Sequence, residues 1–209
     1  VVVIAGAGKA FCAGHDLKEM RANHDKAFMQ DLFRRCGRMM MTLTQMPQPV
    51  IARVHGIATA AGCQLVSMCD LAVAVDSARF ATSGINVGLF CATPGVGLSR
   101  NLGRKQALEM LLTGDFIDAQ TALQQGLVNR VVASDALDVE VEQLARSIIA
   151  KSSVAIGMGK QMFYKQLEMG LEAAYQYASE VMACNMMTAD AGEGIDAFIG
   201  KRAPVWSGR

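Results

Sequence analysis

The sequence predicts an α/β fold with a parallel sheet, followed by a helical C-terminal region, and three observations lead to this prediction. Residues 1–4, 50–54 and 71–75 are apolar runs rich in valine, isoleucine and alanine, typical of parallel strands buried on both faces. Helical patterns separate these runs, and such alternation favours a parallel sheet. Beyond residue 94 nearly every segment has a helical pattern.

The helices of the first half have recognisable ends. Residues 25–45 predict a long helix that the prolines of "MPQP" terminate, and residues 59–69 predict a shorter one. The segment "GAGKAFCAGHDLKEM" predicts a strand, a tight turn through residues 13–15 and a helix. Asp16 and Glu19 have the spacing of a capping box for that helix, and capping is the ordinary role of such an aspartate.

The second half is predicted to be mostly helical. "GRKQALEMLLTGD" predicts a helix that ends at Gly114, and "DAQTALQQG" predicts one between Asp118 and Gly126. Residues 127–132 predict a short strand. Three long helices are then expected, at residues 135–150, 154–169 and 171–189. The predicted organisation is therefore a core of residues 1–133 and a helical region of residues 134–209.

Composition limits the classes of partner. The chain of 209 residues is 52% hydrophobic and has a net charge of +1, so neither nucleic acid nor an anionic membrane surface is an expected partner. No apolar run is long enough for a membrane span. The three histidines and six cysteines lack ligand spacing, which predicts no metal site and reduced, buried thiols.

The stretch "TAAGCQLVSMCD" indicates where chemistry could occur. Small residues at a helix start leave its first amides accessible, and the helix dipole makes that end electropositive. A second amide could come from the turn at residues 13–15, and two such amides would form an oxyanion hole. Close packing of a helix on a strand is an alternative explanation for the small residues. Gln64 follows one turn on and is expected to face the same pocket.

Several motifs together resemble the crotonase, or enoyl-CoA hydratase/isomerase, superfamily. They are "FCAGHDL", "PVIARVHGIATAAGCQL", "CDLAVAVDSARFATSGINVGL", "PGVGLSRNLGRKQALEMLLTGDFIDAQTALQQGLVNRVV" and "FIGKRAPVW". They cover essentially the whole chain in the order typical of the family.

The resemblance implies a spiral of ββα turns and a C-terminal region that forms homotrimers or dimers of trimers. Members usually have about fifty residues before this point, forming the first ββα turn, so the resemblance implies either that the sequence is trimmed or that this turn is absent. The implied ligand is an acyl-coenzyme A thioester, with no cofactor beyond the coenzyme A of the substrate. The implied compartment is the cytoplasm for a bacterial protein and the mitochondrial matrix for a eukaryotic one.

The resemblance also assigns residues. The backbone amides of His15 and Ala61 would bind the thioester oxygen, and Ala13 would face the adenine. Lys18 would lie near the phosphates of coenzyme A. Phe198 and Lys201 match C-terminal positions that contact coenzyme A in the family.

Two positions depart from the family pattern. Hydratases of this family use two glutamates as acid and base, and Gln64 and Gly84 occupy those positions here. Ser83, Asn86 and Cys91 flank the second one. We therefore expect a nominal enoyl-CoA hydratase/isomerase of fatty-acid metabolism with weak or no classical hydratase activity. The alternatives are a non-catalytic acyl-CoA binder and a decarboxylase-type enzyme that uses the His15 side chain.

Overall fold

The computed structural model describes residues 1–209 and contains two four-stranded sheets. The strand orders are β1-β3-β5-β8 and β2-β4-β6-β7, and all of the recorded pairings are parallel except that of β6 with β7. The strands are β1 (Val2–Ala5), β2 (Ala10–Cys12), β3 (Val50–Val54), β4 (Ile57–Thr59), β5 (Leu71–Val75), β6 (Arg79–Ala81), β7 (Ile117–Asp118) and β8 (Arg130–Val132).

Ten α-helices and two short 3₁₀ helices connect and follow these strands. The α-helices are α1 (Leu17–Ala22), α2 (Lys26–Gln45), α3 (Ala61–Met68), α4 (Ala92–Asn101), α5 (Arg104–Thr113), α6 (Ala119–Gln125), α7 (Leu137–Ile149), α8 (Ser153–Gln166), α9 (Leu171–Met186) and α10 (Ala189–Ile199). The 3₁₀ helices are Ser83–Val87 and Ser134–Ala136. None of the helices is both long and apolar enough to cross a membrane.

The chain divides into two compact units. The first, which we call the sheet unit, contains Val3–Leu43 and Val50–Glu142. The second, the helical unit, contains Val1–Val2, Thr44–Pro49 and Gln143–Arg209.

The core of the sheet unit is built on β3 and β5. The two strands pair in parallel, with Ile51 opposite Leu71 and Val54 opposite Ala74. Four of the five residues of each strand are buried, which confirms the prediction from their apolar runs. Phe80 of β6 is fully buried in the same unit. Parallel strands covered on both faces need this continuous apolar character.

The first strand differs from its prediction. β1 begins one residue later than expected, and its side chains alternate between partly exposed and exposed, with Val3 43% exposed. The prediction of burial on both faces was wrong because β1 is the edge strand of its sheet.

The small-residue segment also has a different local structure. Residues 57–59 form β4, which the sequence analysis missed, and α3 begins only at Ala61. Thr59 therefore ends a strand and does not open a helix. Three residues are too few for periodicity to identify a strand.

Most helix ends follow the predicted capping residues. The Asp16 carboxylate accepts hydrogen bonds from the amides of Lys18 and Glu19, and the Asp118 carboxylate accepts one from Thr121. Gly114 and Gly126 are the left-handed residues that end α5 and α6.

The helical unit contains one more helix than predicted. The pattern expected to continue to residue 189 breaks at Met187 and Thr188, and α10 starts after the cap supplied by Thr188. The Thr188 hydroxyl accepts a hydrogen bond from the Ala191 amide. The capping threonine ends one helix and starts the next, although the apolar residues continue with helical spacing across this point.

Candidate functional site

A cleft with a volume of about 450 Å³ lies in the sheet unit, where β2, β4 and β6 end. Ligands of parallel α/β sheets commonly bind beside the carboxyl ends of the strands. Residues one to three positions after each of these strands line the cleft, and they are Ala13, Ala60, Ala61, Ser83 and Gly84. The apolar part of the wall is formed by Leu17, Met20, Phe33, Val87, Leu89, Phe90 and Pro94.

The two amide positions predicted from the sequence are packed together. Gly14, with φ of 94°, lies between Ala13 and His15 in the turn after β2. A Cβ atom on Gly14 would lie 3.0 Å from the Cβ of Ala60 and 3.2 Å from the backbone nitrogen of Ala61. His15 and Ala61 both line the cleft. The structure therefore brings the turn and the start of α3 into one site.

Close packing accounts for another of the small residues. A Cβ atom on Gly62 would lie 2.0 Å from the carbonyl oxygen of Cys12. Only glycine fits there, because the end of β2 crosses directly against α3. Close packing therefore explains the glycine at position 62, whereas Ala60 and Ala61 line the cleft. The two explanations apply to different residues of the same segment.

The backbone at the start of α3 has an unusual conformation. Ala60 has φ of 52° and ψ of −121°, a region that residues other than glycine rarely occupy. Its amide donates to the Ala81 carbonyl at 3.0 Å, and its carbonyl accepts from the Gln64 amide at 3.1 Å. The amide of Ala61 therefore precedes the first hydrogen bond of the helix, at the end where the dipole supplies roughly half a positive charge.

Gln64 does not line the cleft, in contrast to the expectation from helical spacing. It is only 4% exposed. Its Oε1 atom lies 4.0 Å from the Sγ atom of Cys36 on α2. Burial, together with the nearby Cys12, raises the pKa of the Cys36 thiol, so this neighbour is a neutral thiol near pH 7. The glutamine amide therefore lies beside a neutral thiol, and it carries no ionisable proton itself.

Gly84 lines the cleft, but the surrounding atoms leave no room for a side chain at this position. A Cβ atom on Gly84 would lie 2.7 Å from the Sγ atom of Cys91 and 2.7 Å from the carbonyl oxygen of Leu89. The Leu89 amide donates back to the Gly84 carbonyl at 2.9 Å, which holds this loop closed. A larger residue at position 84 would therefore have to displace backbone as well as a thiol.

The His15 side chain lies at the cleft beside Phe33. The two rings make an edge-to-face contact, with centroids 5.7 Å apart and an interplanar angle of 86°. Burial lowers the pKa of His15 below its ordinary value of 6.5, and the negative charge of Glu19 only partly offsets this effect. The imidazole is therefore neutral at pH 7.

The cleft has few polar side chains. They are His15, Ser83, Cys91 and Thr93, and no lysine, arginine, aspartate or glutamate is among the lining residues. The Ser83 hydroxyl lies 2.8 Å from the hydroxyl of Thr59. An uncharged apolar wall with few polar groups suits an uncharged portion of a ligand.

The remaining predicted site residues lie in different places. Ala13 lines the cleft, and Lys18 is exposed on α1. Phe198, which is 86% exposed, and Lys201, with φ of 51°, belong to the helical unit. Asn86 donates to the Gly114 carbonyl at 3.5 Å and does not line the cleft. No group of three or more histidine, cysteine, aspartate or glutamate side chains is arranged to hold a metal ion.

Sequence reasoning missed part of the wall. Phe33 comes from α2, and Thr93 comes from the start of α4. Neither belongs to a motif, and their contribution depends on long-range packing. Leu89 and Phe90 could have been noticed, since they form an apolar pair directly after the glycine that ends the 3₁₀ helix.

Comparisons with known proteins agree on one family. The model of the family described as enoyl-CoA hydratase/isomerase matches residues 1–209. The sequence is 48% identical over 207 residues to the human protein named enoyl-CoA hydratase domain-containing protein 3, mitochondrial, covering 99% of this chain and 68% of the human one.

Solved structures agree with this result. The crystal structure of an enoyl-CoA hydratase from Mycobacterium smegmatis superposes with a TM-score of 0.97 at 61% identity, covering 98% of this chain and 80% of the other. The structure of human enoyl-CoA hydratase domain-containing protein 3 gives a TM-score of 0.95 at 48% identity, covering 98% of this chain and 81% of the human one. The structure of an enoyl-CoA hydratase from Polaromonas gives a TM-score of 0.91 at 33% identity, covering 98% of this chain and 81% of the other.

Proposed function

Because the chain belongs to the enoyl-CoA hydratase/isomerase, or crotonase, family, we propose that it binds an acyl-coenzyme A thioester in the cleft. The observation that supports this most directly is the tight packing of the turn after β2 against the start of α3, where a Cβ atom added to Gly14 would lie 3.2 Å from the nitrogen of Ala61. Two amides from these segments can share one oxygen atom only if the segments lie this close together.

In this proposal the amides of His15 and Ala61 donate to the thioester oxygen. Donors fixed by a turn and a helix start act where negative charge develops, and removing one such donor typically reduces a rate by about 10²–10³. The acyl chain lies against the apolar wall. Ala13 faces the adenine, and Lys18 lies near the phosphates of coenzyme A. Contacts of Phe198 and Lys201 with coenzyme A stay a prediction from the family resemblance.

We further propose that classical hydration of an enoyl group is weak or absent. Positioned acid and base groups each contribute about 10²–10⁴ to a rate. Gln64 cannot exchange a proton near neutral pH, and Gly84 has no side chain. Water addition should therefore be several orders of magnitude slower than in a family member that has both glutamates.

One experiment separates binding from turnover. Crotonyl-CoA hydration and crotonyl-CoA binding are measured on the same preparation, by absorbance and by calorimetry. We expect a heat of binding and little hydration. Hydration at ordinary hydratase rates would contradict the weak-activity proposal, and the absence of binding at millimolar ligand would contradict the proposed ligand.

The decarboxylase-type alternative makes a separate prediction. A histidine that binds a substrate carboxylate does so best when protonated, and burial disfavours that form of His15. Release of CO₂ from malonyl-CoA, or binding of malonyl-CoA that tightens as the pH falls below 6.5, would favour this alternative. Malonyl-CoA binding that is equally tight above and below pH 6.5 would exclude a role for a protonated His15.

We also propose a homotrimer or a dimer of trimers, with the helical unit at the contact. Large apolar side chains of this unit are well exposed, among them Phe163, Leu167, Met182, Met187 and Ile199. Surfaces of this kind normally contact another surface. Light scattering at micromolar concentration tests the assembly, and a monomer would contradict it. The compartment stays a prediction, mitochondrial for a eukaryotic source and cytoplasmic for a bacterial one.

A further inference from the structure

We infer that Ser83, held by Thr59, selects acyl groups that carry a hydroxyl or oxo oxygen close to the thioester. This inference rests on the proposed function, because it assigns a specificity-determining residue within the same cleft. It depends on the hydroxyl pair at the end of β4 and β6 and on the otherwise uncharged wall around it.

The position of the pair follows from the sheet. β4 and β6 are parallel neighbours with Thr59 opposite Ala81. Thr59 lies two residues before Ala61, and Ser83 lies two residues after Ala81. The hydroxyls of Thr59 and Ser83 lie 2.8 Å apart, and of the two residues only Ser83 lines the cleft. Ser83 and Ala61 therefore line the same cleft, and the hydroxyl of Ser83 is held there by that of Thr59.

The chemistry of the pair suits either kind of oxygen. Within the pair one hydroxyl donates and the other accepts. When Thr59 donates, the Ser83 proton is available for an oxo group of the ligand. When Ser83 donates, its lone pairs can accept from a ligand hydroxyl. A saturated acyl chain has no oxygen to hydrogen-bond with Ser83, so Ser83 would add nothing to its affinity.

The other polar side chains of the wall are placed differently from this pair. Cys91 is a weak hydrogen-bonding group, and its sulfur closes the space at Gly84. The His15 ring makes an edge-to-face contact with Phe33. Thr93 lies in the first turn of α4 and is not part of the strand ends that carry the amides.

The test compares two ligands that differ by a single oxygen. Calorimetry measures the Kd of butyryl-CoA and of 3-hydroxybutyryl-CoA for the wild type. One net hydrogen bond gives an expected preference of about three- to tenfold for the hydroxylated ligand. In Ser83→Ala the ratio should fall to about one, because the hydroxylated ligand loses its hydrogen-bond partner.

Three further variants complete the design. Ser83→Thr retains the hydroxyl and should keep the preference. Thr59→Val retains the shape but removes the group that orients Ser83, and should give an intermediate ratio. Ser99→Ala is the matched control, because Ser99 is an exposed serine whose hydroxyl donates to the Val96 carbonyl, and it should behave as the wild type.

The outcomes separate this inference from the proposed function. Equal affinity of the wild type for the two ligands, or an unchanged preference in Ser83→Ala, overturns the inference while leaving acyl-CoA binding intact. If neither ligand binds, the proposed function fails and the inference fails with it. If Ser83→Ala does not fold, the wild-type ratio and Thr59→Val decide, and an undiminished preference in Thr59→Val overturns the role of the pair.

Discussion

The cleft of the sheet unit and a groove of the helical unit both place polar groups among apolar residues, but those groups have different partners. The groove, with a volume of about 350 Å³, is lined by Asp190 together with Met186, Ile195, Phe198 and Trp206. Asp190 is only 1% exposed, and its carboxylate accepts from the Ser152 hydroxyl at 2.6 Å and from the Ser207 amide at 2.7 Å.

In the groove the protein itself satisfies the buried charge. These hydrogen bonds, above all the one from Ser152, lower the pKa of Asp190 to about 2. In the cleft the polar groups are neutral, and the amide of Ala61 lies at the uncapped start of a helix. The carboxylate of the groove is thus satisfied within the fold, whereas the amides of the cleft are the groups that the proposed function assigns to a ligand. Four predictions test this distinction.

The largest effect is expected from Gly62→Ala. Its methyl group would lie 2.0 Å from the Cys12 carbonyl oxygen, so β2 and α3 would have to separate. The free energy of unfolding should fall by about 3 kcal/mol, measured by urea denaturation. Gly37→Ala is the control, because a Cβ atom on Gly37 of α2 meets nothing within 4 Å, and it should stabilise the protein by up to about 1 kcal/mol. Similar effects of the two changes would show that the contact between the strand and the helix is loose.

Asp190→Asn should change how stability depends on pH. The folded pKa of about 2 lies below the ordinary value of 3.8, so the carboxylate stabilises the fold above pH 3.8. This contribution is lost as the pH falls toward 2. The wild type should therefore lose stability across this window, and the variant should be less stable at pH 7 and have a flatter profile. The exposed Glu172→Gln serves as control, and an unchanged profile in Asp190→Asn would contradict the structural role.

Gly84→Ala should weaken acyl-CoA binding by about tenfold through crowding of the cleft wall. Adding Cys91→Ala should restore part of the affinity, because the sulfur is one of the two atoms at 2.7 Å and the Leu89 carbonyl is the other. Calorimetry of the single and double variants gives the coupling between the two positions. Binding unaffected by Gly84→Ala would mean that the loop moves freely.

The same crowding at position 84 predicts that the double variant Gln64→Glu with Gly84→Glu gains little hydration activity.

The smallest effect is expected from His15→Gln. The backbone amide of residue 15 remains, and the neutral imidazole contributes no charge at pH 7. Butyryl-CoA affinity should therefore change by less than about twofold. A loss of tenfold or more at pH 7.5, by calorimetry, would show that the side chain itself binds the ligand.

Much of the sheet, and the two segments that meet at the cleft, could be predicted from the sequence because local signals agree with the fold. The runs that became β3 and β5 are continuous and apolar, and Asp118 and Gly126 mark the ends of α6. The sequence motifs also identified the two amide segments, which the structure packs together.

The remainder depends on contacts between distant segments. Helical spacing predicted that Gln64 faces the pocket, but the structure buries this side chain beside Cys36 of α2, which is 28 residues away in the sequence. The lack of space at Gly84 comes from Cys91 and Leu89, and no pattern in the sequence describes a distance of 2.7 Å. Edge position made β1 more exposed than its composition indicates.

The conformation of Ala60 relates the stability of the fold to the conformational entropy of the neighbouring amide. An alanine at φ of 52° and ψ of −121° strains the native turn by about 1–3 kcal/mol. Its methyl group also leaves the amide of Ala61 fewer alternative orientations than glycine would allow, so under the proposed function less freedom would be lost on binding a thioester oxygen. This turn thus lowers the stability of the fold while preorganising the donor, and a glycine at position 60 would reverse both effects.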